Sequence, residues 1–220
     1  MVASIEQATG DAQQAQAGYF SKRIYTPRSL IGDLRGILAH SDDLRSAARS
    51  RRISRAFTER IMLAVTAVNG CRYCSYGHAR SALASGVSQE EIDLLLSGEV
   101  GHVGPQEAPA LLFAQLYAES GGHPGPEAVQ KLTEIYGQER ARDIQSYIRM
   151  ITLGNLTGNT FDALLSRLRG RPAKRSSLWS ELATLGLLAL GTPVLALGML
   201  VGTVAHLLTR TSREHTEEMA

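Results

Sequence analysis

The run from Ile61 to Val68 constrains the fold more than any other stretch, because Thr66 is its one polar residue. Ser54 ahead of it can cap a helix, and Asn69-Gly70 behind it is a stop signal. A helix so bounded has no solvent face and must be buried among others. Its β-branched residues would also permit a strand, but the segment's length, its cap and its closing glycine favour helix. The flanking segments fit that reading. Leu30, Ile31, Leu34, Ile37 and Leu38 fall at helical spacing within a helix expected from Ser29 to about Arg51. A third helix is expected from the cysteines to near Gly86, and Ser88 with Glu91 forms a capping box ahead of "IDLLLSG". "PQEAPALLFAQLYAES" follows, closed by Gly121-Gly122, then a helix from Pro126 through "EAVQKLTEIYG" and a longer one from Glu139 to about Arg169. No segment alternates convincingly at period two, so the fold class is all-α. A composition 44% apolar but 5% aromatic suits helices packed through Leu, Ala, Val and Ile.

Charge and composition narrow the function classes. A net charge of +2, with no basic run interleaved with aromatics, argues against a nucleic-acid partner. Residues 1–24 are polar and rich in Ala, Gln and Gly, so a flexible leader without a secretory signal is expected there. The main domain is expected over 25–171, followed by a basic linker over 172–181. From Leu182 to Leu208 no residue is formally charged, and Thr192, Thr203 and His206 interrupt the apolar character. Those 27 residues would form a helix of about 40 Å against roughly 30 Å of bilayer hydrocarbon. A single transmembrane helix is therefore expected over 182–208, with a polar tail over 209–220; the rival is a helix packed on the domain. Arg167, Arg169, Arg171, Lys174 and Arg175 precede the stretch, whereas Arg210 and Arg213 follow it among glutamates. That asymmetry would place the preceding domain on the cytoplasmic side of the membrane.

Both cysteines of the chain, Cys71 and Cys74, fall in one turn, with His78 four residues further on. Two thiols make no disulfide framework of the secreted kind, and a lone Cys-x-x-Cys reads as a redox pair or half a metal site. A structural zinc site wants four Cys or His ligands, and the chain has no second pair of cysteines, so neither metal nor cofactor is called for. A helix N-terminus stabilises thiolate over thiol. His78 shares a helical face with Cys74 and can exchange a proton with it. Glu59, about eleven residues before the turn on the preceding helix, would stand at a similar height across an antiparallel pair.

The combination of Glu59, Cys71, Cys74 and His78 at these spacings resembles the signature of the AhpD-like alkylhydroperoxidases, within the carboxymuconolactone decarboxylase superfamily. "NLTGNTFDALLSRL" at 155–168 is similar to that family's closing helix, and the likeness spans roughly residues 25–170. The resemblance implies an all-α thiol peroxidase that reduces a hydroperoxide, or a disulfide reductase. Cys74 would attack the peroxide, Cys71 would resolve the sulfenic acid to a disulfide, and Glu59 and His78 would relay protons. It also implies a dithiol electron donor, lipoyl-bearing or thioredoxin-like, and a homo-oligomer, trimeric or larger. Tyr73 stands where the best-studied branch has a histidine, which suggests either a shorter relay or an aromatic packed beside the site. The alternatives are a redox sensor or membrane scaffold without turnover, and a decarboxylase acting on a lactone acid. Gly154, Gly158, Asn155 and Asn159 are expected to serve close helix packing, with a pocket role open for the two asparagines.

Overall fold

The computed structural model describes residues 20–174 and 176–191. It is all-helical apart from one isolated bridge, Phe20 to Ala173. α1 is Pro27–Ala39, α2 Ser41–Ser50, α3 Arg55–Asn69, α4 Arg72–Ala84, α5 Gln89–Ser97, α6 Ala108–Glu119 and α7 Pro126–Leu168. A last helical segment, α8, covers 178–191.

α3 is the hub, packing on α4, α5, α6 and α7. Ile61, Leu63, Ala64, Val65 and Thr66 are fully buried, as the lack of a solvent face demands. Burying Ile61, Leu63 and Val65 contributes about 1.5–3 kcal/mol each, so α3 anchors the core. The Ser54 side chain accepts from the amide of Phe57, and Gly70 closes the helix in the left-handed region at φ 67°. That stop lets the chain turn straight from Asn69 into Cys71.

Three local features differ from the sequence expectation. The helix expected from Ser29 to about Arg51 is two helices, parted at His40. The imidazole Nδ1 of His40 sits 2.8 Å from the Gly36 carbonyl and occupies an acceptor of the last turn, while Asp42 and Asp43 favour a fresh N-terminus just beyond. The first of the pair begins at Pro27, under a reciprocal Thr26–Ser29 cap. At Ser88 the capping box is half made: the Ser88 hydroxyl accepts from the Glu91 amide, but the Glu91 carboxylate turns to the Arg60 guanidinium. A two-pronged charged partner outcompetes one backbone amide. The Gly137 boundary does appear, as a break inside α7 at φ 73°.

The apolar stretch beginning at Leu182 is described to residue 191, and this part lies on the domain. Glu181 and Thr184 are fully buried, and Leu188 packs against the cluster of Tyr25, Leu30 and Leu156. Arg167 grips the Glu181 carboxylate with two nitrogens at 2.8 and 2.9 Å. Among the described residues no helix is long and apolar enough to cross a membrane. The larger part of the expected span, 192–208, and the tail over 209–220 lie outside the described residues, as do residues 1–19.

Residues 20–26 form a strap across the bundle. Arg23 donates to the Gly121 carbonyl at 3.0 Å, and the Tyr25 amide donates to Thr160 Oγ1 at 3.0 Å. The buried Tyr25 phenol donates to Asp33 at 2.6 Å. Burial, and then that hydrogen bond, push the phenol far above its ordinary pKa, so it remains a neutral donor.

Candidate active site

Cys71 is the N-cap of α4, a position usually filled by Ser, Thr, Asp or Asn. Its extended backbone (φ −77°, ψ 104°) aims the sulfur back into the first turn, where the Cys74 amide donates to it at 3.3 Å. Cys71 and Cys74 are joined as a disulfide, so both sulfurs here stand for the oxidised pair. Cys71 is completely buried and Cys74 partly exposed.

His78 follows Cys74 by one helical turn, and its Nδ1 lies 2.8 Å from Glu59 Oε2. Glu59 comes from the middle of α3 and is nearly buried, so the antiparallel arrangement of α3 and α4 does bring carboxylate and imidazole together. With the carboxylate as acceptor at Nδ1, the ring's Nε2 is left to exchange protons.

The third element of the site is α7, which reaches the thiols at Gly158. A methyl group there would stand 2.8 Å from Cys71 Sγ, 3.4 Å from Tyr73 Cδ2 and 3.9 Å from Cys74 Sγ. Gly154, one turn earlier, faces open space within 4 Å. Sequence reading grouped the two glycines as packing residues, but one of them touches the sulfur. The asparagines beside them tie α7 to α3. Asn155 accepts from the Thr66 hydroxyl at 3.1 Å, and Asn159 donates to the Asn69 carbonyl at 2.7 Å and to the Arg23 carbonyl at 3.0 Å.

Tyr73 packs beside the site. Its ring lies 6.2 Å from Phe161, and the Arg72 guanidinium stacks 4.8 Å from its centroid while donating to its hydroxyl at 2.7 Å. Arg72 also pairs with Asp162, which in turn accepts from Lys22 of the strap at 3.3 Å. This clasp of Lys22, Arg72 and Asp162 escaped the sequence reading. Its available signal was a basic residue inside the cysteine turn and an acidic one four residues after Gly158. Among the described residues no group of three or more His, Cys, Asp or Glu could hold a metal ion. An apolar groove of about 340 Å³, lined by Leu112, Leu116, Lys131 and Ile135 among others, opens between α6 and the first part of α7 and includes none of the motif residues.

The model of the carboxymuconolactone decarboxylase family matches residues 36–116. That segment is similar to the family, and the match covers less than half of the chain. The matched segment runs from within α1 to within α6 and contains Glu59, Cys71, Cys74 and His78. Gly158, the asparagines of α7, the strap and α8 lie beyond it. No curated protein and no solved structure matches the chain.

Proposed function

We propose that the protein is a thiol-dependent peroxidase of the AhpD-like kind. The observation that carries this reading is the bonded Cys71–Cys74 pair on the first turn of α4, with His78 one turn along the same helix and held by Glu59 of α3. In the reduced protein, His78 takes the proton of the Cys74 thiol, and the helix N-terminus stabilises the thiolate. The thiolate attacks one oxygen of a hydroperoxide; the O–O bond breaks, the leaving alkoxide takes a proton and departs as alcohol, and Cys74 becomes a sulfenic acid. The Cys71 sulfur then attacks Cys74, hydroxide leaves as water with the Cys71 proton, and the disulfide forms. A dithiol donor, lipoyl-bearing or thioredoxin-like, returns two electrons and two protons and leaves as its own disulfide.

The test is steady-state hydroperoxide consumption by the full-length chain with dihydrolipoamide or a reduced thioredoxin-like protein. Turnover should require the dithiol and vanish in Cys74→Ser. Cys71→Ser should consume about one equivalent and leave a sulfenic acid that a dimedone-type probe finds on Cys74. A single round of oxidation without turnover would make the pair a redox sensor, and labelling confined to Cys71 in Cys74→Ser would reverse the two roles.

The uncharged residues beyond the part packed on the domain, 192–208, support a membrane tether with the thiol domain on the cytoplasmic side, and the family resemblance supports a homo-oligomer, trimeric or larger. The excess of basic residues before the stretch, Arg167 to Arg175 against Arg210 and Arg213 after it, carries the orientation signal. Full-length protein should stay in the membrane pellet through an alkaline carbonate wash. Release by carbonate would remove the tether, and sedimentation of the detergent-solubilised protein at the monomer mass would remove the oligomer.

A further inference from the structure

Gly154 and Gly158 sit one turn apart in the same helix, neither at a positive φ, so backbone conformation explains neither. A glycine inside a helix is less stable than an alanine there, so each needs a reason. At 154 a methyl would meet nothing within 4 Å, whereas at 158 it would meet Cys71 Sγ at 2.8 Å. The sulfur is poorly placed to give way. It is bonded to Cys74, receives the Cys74 amide, and belongs to a residue fixed as the cap of α4. The backbone of α7 therefore closes directly over Cys71, which is fully buried, while Cys74 keeps a path to solvent.

We propose that Gly158 is a positioning residue that makes the cysteine pair one-sided. By sealing Cys71 beneath α7, it confines every incoming thiol or hydroperoxide to Cys74. This rests on the thiol chemistry proposed above. In the exchange step the donor thiolate attacks Cys74 Sγ and the Cys71–Cys74 bond breaks. Cys71 leaves as a thiolate under the helix and takes the proton given up by the donor's second thiol. The donor's second thiolate then attacks the donor sulfur of the mixed disulfide, which releases Cys74 as thiolate and the donor as disulfide. Attack on Cys71 would require a line of approach through α7. A methyl at 158 has to push Cys71 aside, which disfavours the closed disulfide and opens the seal.

The experiment compares Gly158→Ala with Gly154→Ala in the full chain, since both changes add the same methyl and the same helix propensity. Two quantities are read on reduced protein: the ratio of Cys74 to Cys71 alkylation in a brief iodoacetamide pulse, mapped by peptide mass spectrometry, and the dithiol–disulfide equilibrium in a glutathione buffer. The wild type and Gly154→Ala should label at Cys74 and share one equilibrium constant. Gly158→Ala should gain label at Cys71 and move toward the dithiol by about tenfold, equivalent to about 30 mV for a two-electron couple. If Gly158→Ala matches Gly154→Ala in both, or if the wild type labels both cysteines equally, the seal is refuted. If Gly158→Ala fails to fold, adding Cys71→Ala should restore folding by removing the sulfur; failure of that double variant also refutes it. Absence of peroxide turnover, with labelling and equilibrium as expected, would remove the peroxidase reading and leave the seal standing.

Discussion

Glu59 reaches across from α3 to hold Nδ1 of His78 on α4 at 2.8 Å, a carboxylate from a nearly buried position orienting a ring that is partly open to solvent. The same contact gives the first prediction. Glu59→Gln keeps the shape but offers Nδ1 a weaker, uncharged partner, so the ring loses its fixed tautomer and orientation. Alkylation of the reduced protein at neutral pH, and peroxide turnover, should fall by about 10²–10⁴-fold, the span ordinarily supplied by general acid–base assistance. Circular dichroism should remain that of the wild type. Unchanged rates would demote Glu59 to a structural carboxylate.

Thr66 and Asn155 are both fully buried and share one hydrogen bond at 3.1 Å. Thr66→Val leaves the Asn155 carbonyl oxygen without that donor and should cost about 1–3 kcal/mol in urea unfolding. Asn155→Leu should cost a similar amount by stranding the Thr66 hydroxyl. The double variant removes both polar groups, so its loss should be smaller than the two single losses combined by about 0.5–3 kcal/mol. Simple additivity would show that the pair is not coupled.

Arg60 stands between two carboxylates with opposite tendencies. The hydrogen bond from Arg60 draws the Glu91 pKa below its ordinary value, whereas burial raises that of Glu107. The signs differ accordingly. Glu91 contributes stability above its unfolded-state pKa, and that share is lost as pH falls through its lowered folded-state value. Glu107 favours the fold below its unfolded-state pKa and loses that share as pH rises through its raised folded-state value. Melting temperatures between pH 3 and 7 should show Glu91→Gln less stable than wild type at the upper end, with the gap closing in acid. Glu107→Gln should be at least as stable as wild type at pH 7. A constant gap across the range for Glu91→Gln would exclude the linkage.

Arg167 and Glu181 pin α8 to the end of α7, and the carboxylate side chain is wholly inaccessible. Arg167→Ala would leave that charge buried and unpaired, a loss of about 3 kcal/mol given that the arginine keeps some solvent contact. The expected readout is local: faster proteolysis and amide exchange over 176–191, with α3 still protected. Arg167→Ala combined with Glu181→Ala should recover part of the loss. Equal protection of α8 in Arg167→Ala and wild type would show that the pair does not hold it.

Caps, stops and the apolar run of α3 were legible because they are local. Ser54, Gly70 and Gly137 act within a turn of their own position, and α3 announced its burial through its lack of polar residues. The proximity of Glu59 and His78 was legible too, since an antiparallel pair joined by a short turn leaves little freedom in height. Gly158 was different. Nothing within α7 distinguishes it from Gly154; the difference is a sulfur 87 residues earlier in the chain. The split at His40 was missed for another reason, because the periodicity of apolar residues does not register a side chain that turns back to take its own helix's carbonyl.

The pairing of Phe20 with Ala173, and the seat of Leu188 against Tyr25 and Leu30, have a practical consequence for where this chain can be cut. The two margins of the domain complete one another, although neither lies within the matched family segment. Trimming at residue 171 would uncover Tyr25 and Leu30, and trimming before Thr26 would leave Leu188 and the Lys22 side of Asp162 facing water. A fragment chosen by family boundaries alone would lose both margins and α7 with them, uncovering the buried face of α3, and any insolubility that follows would say nothing about the chemistry of its thiols.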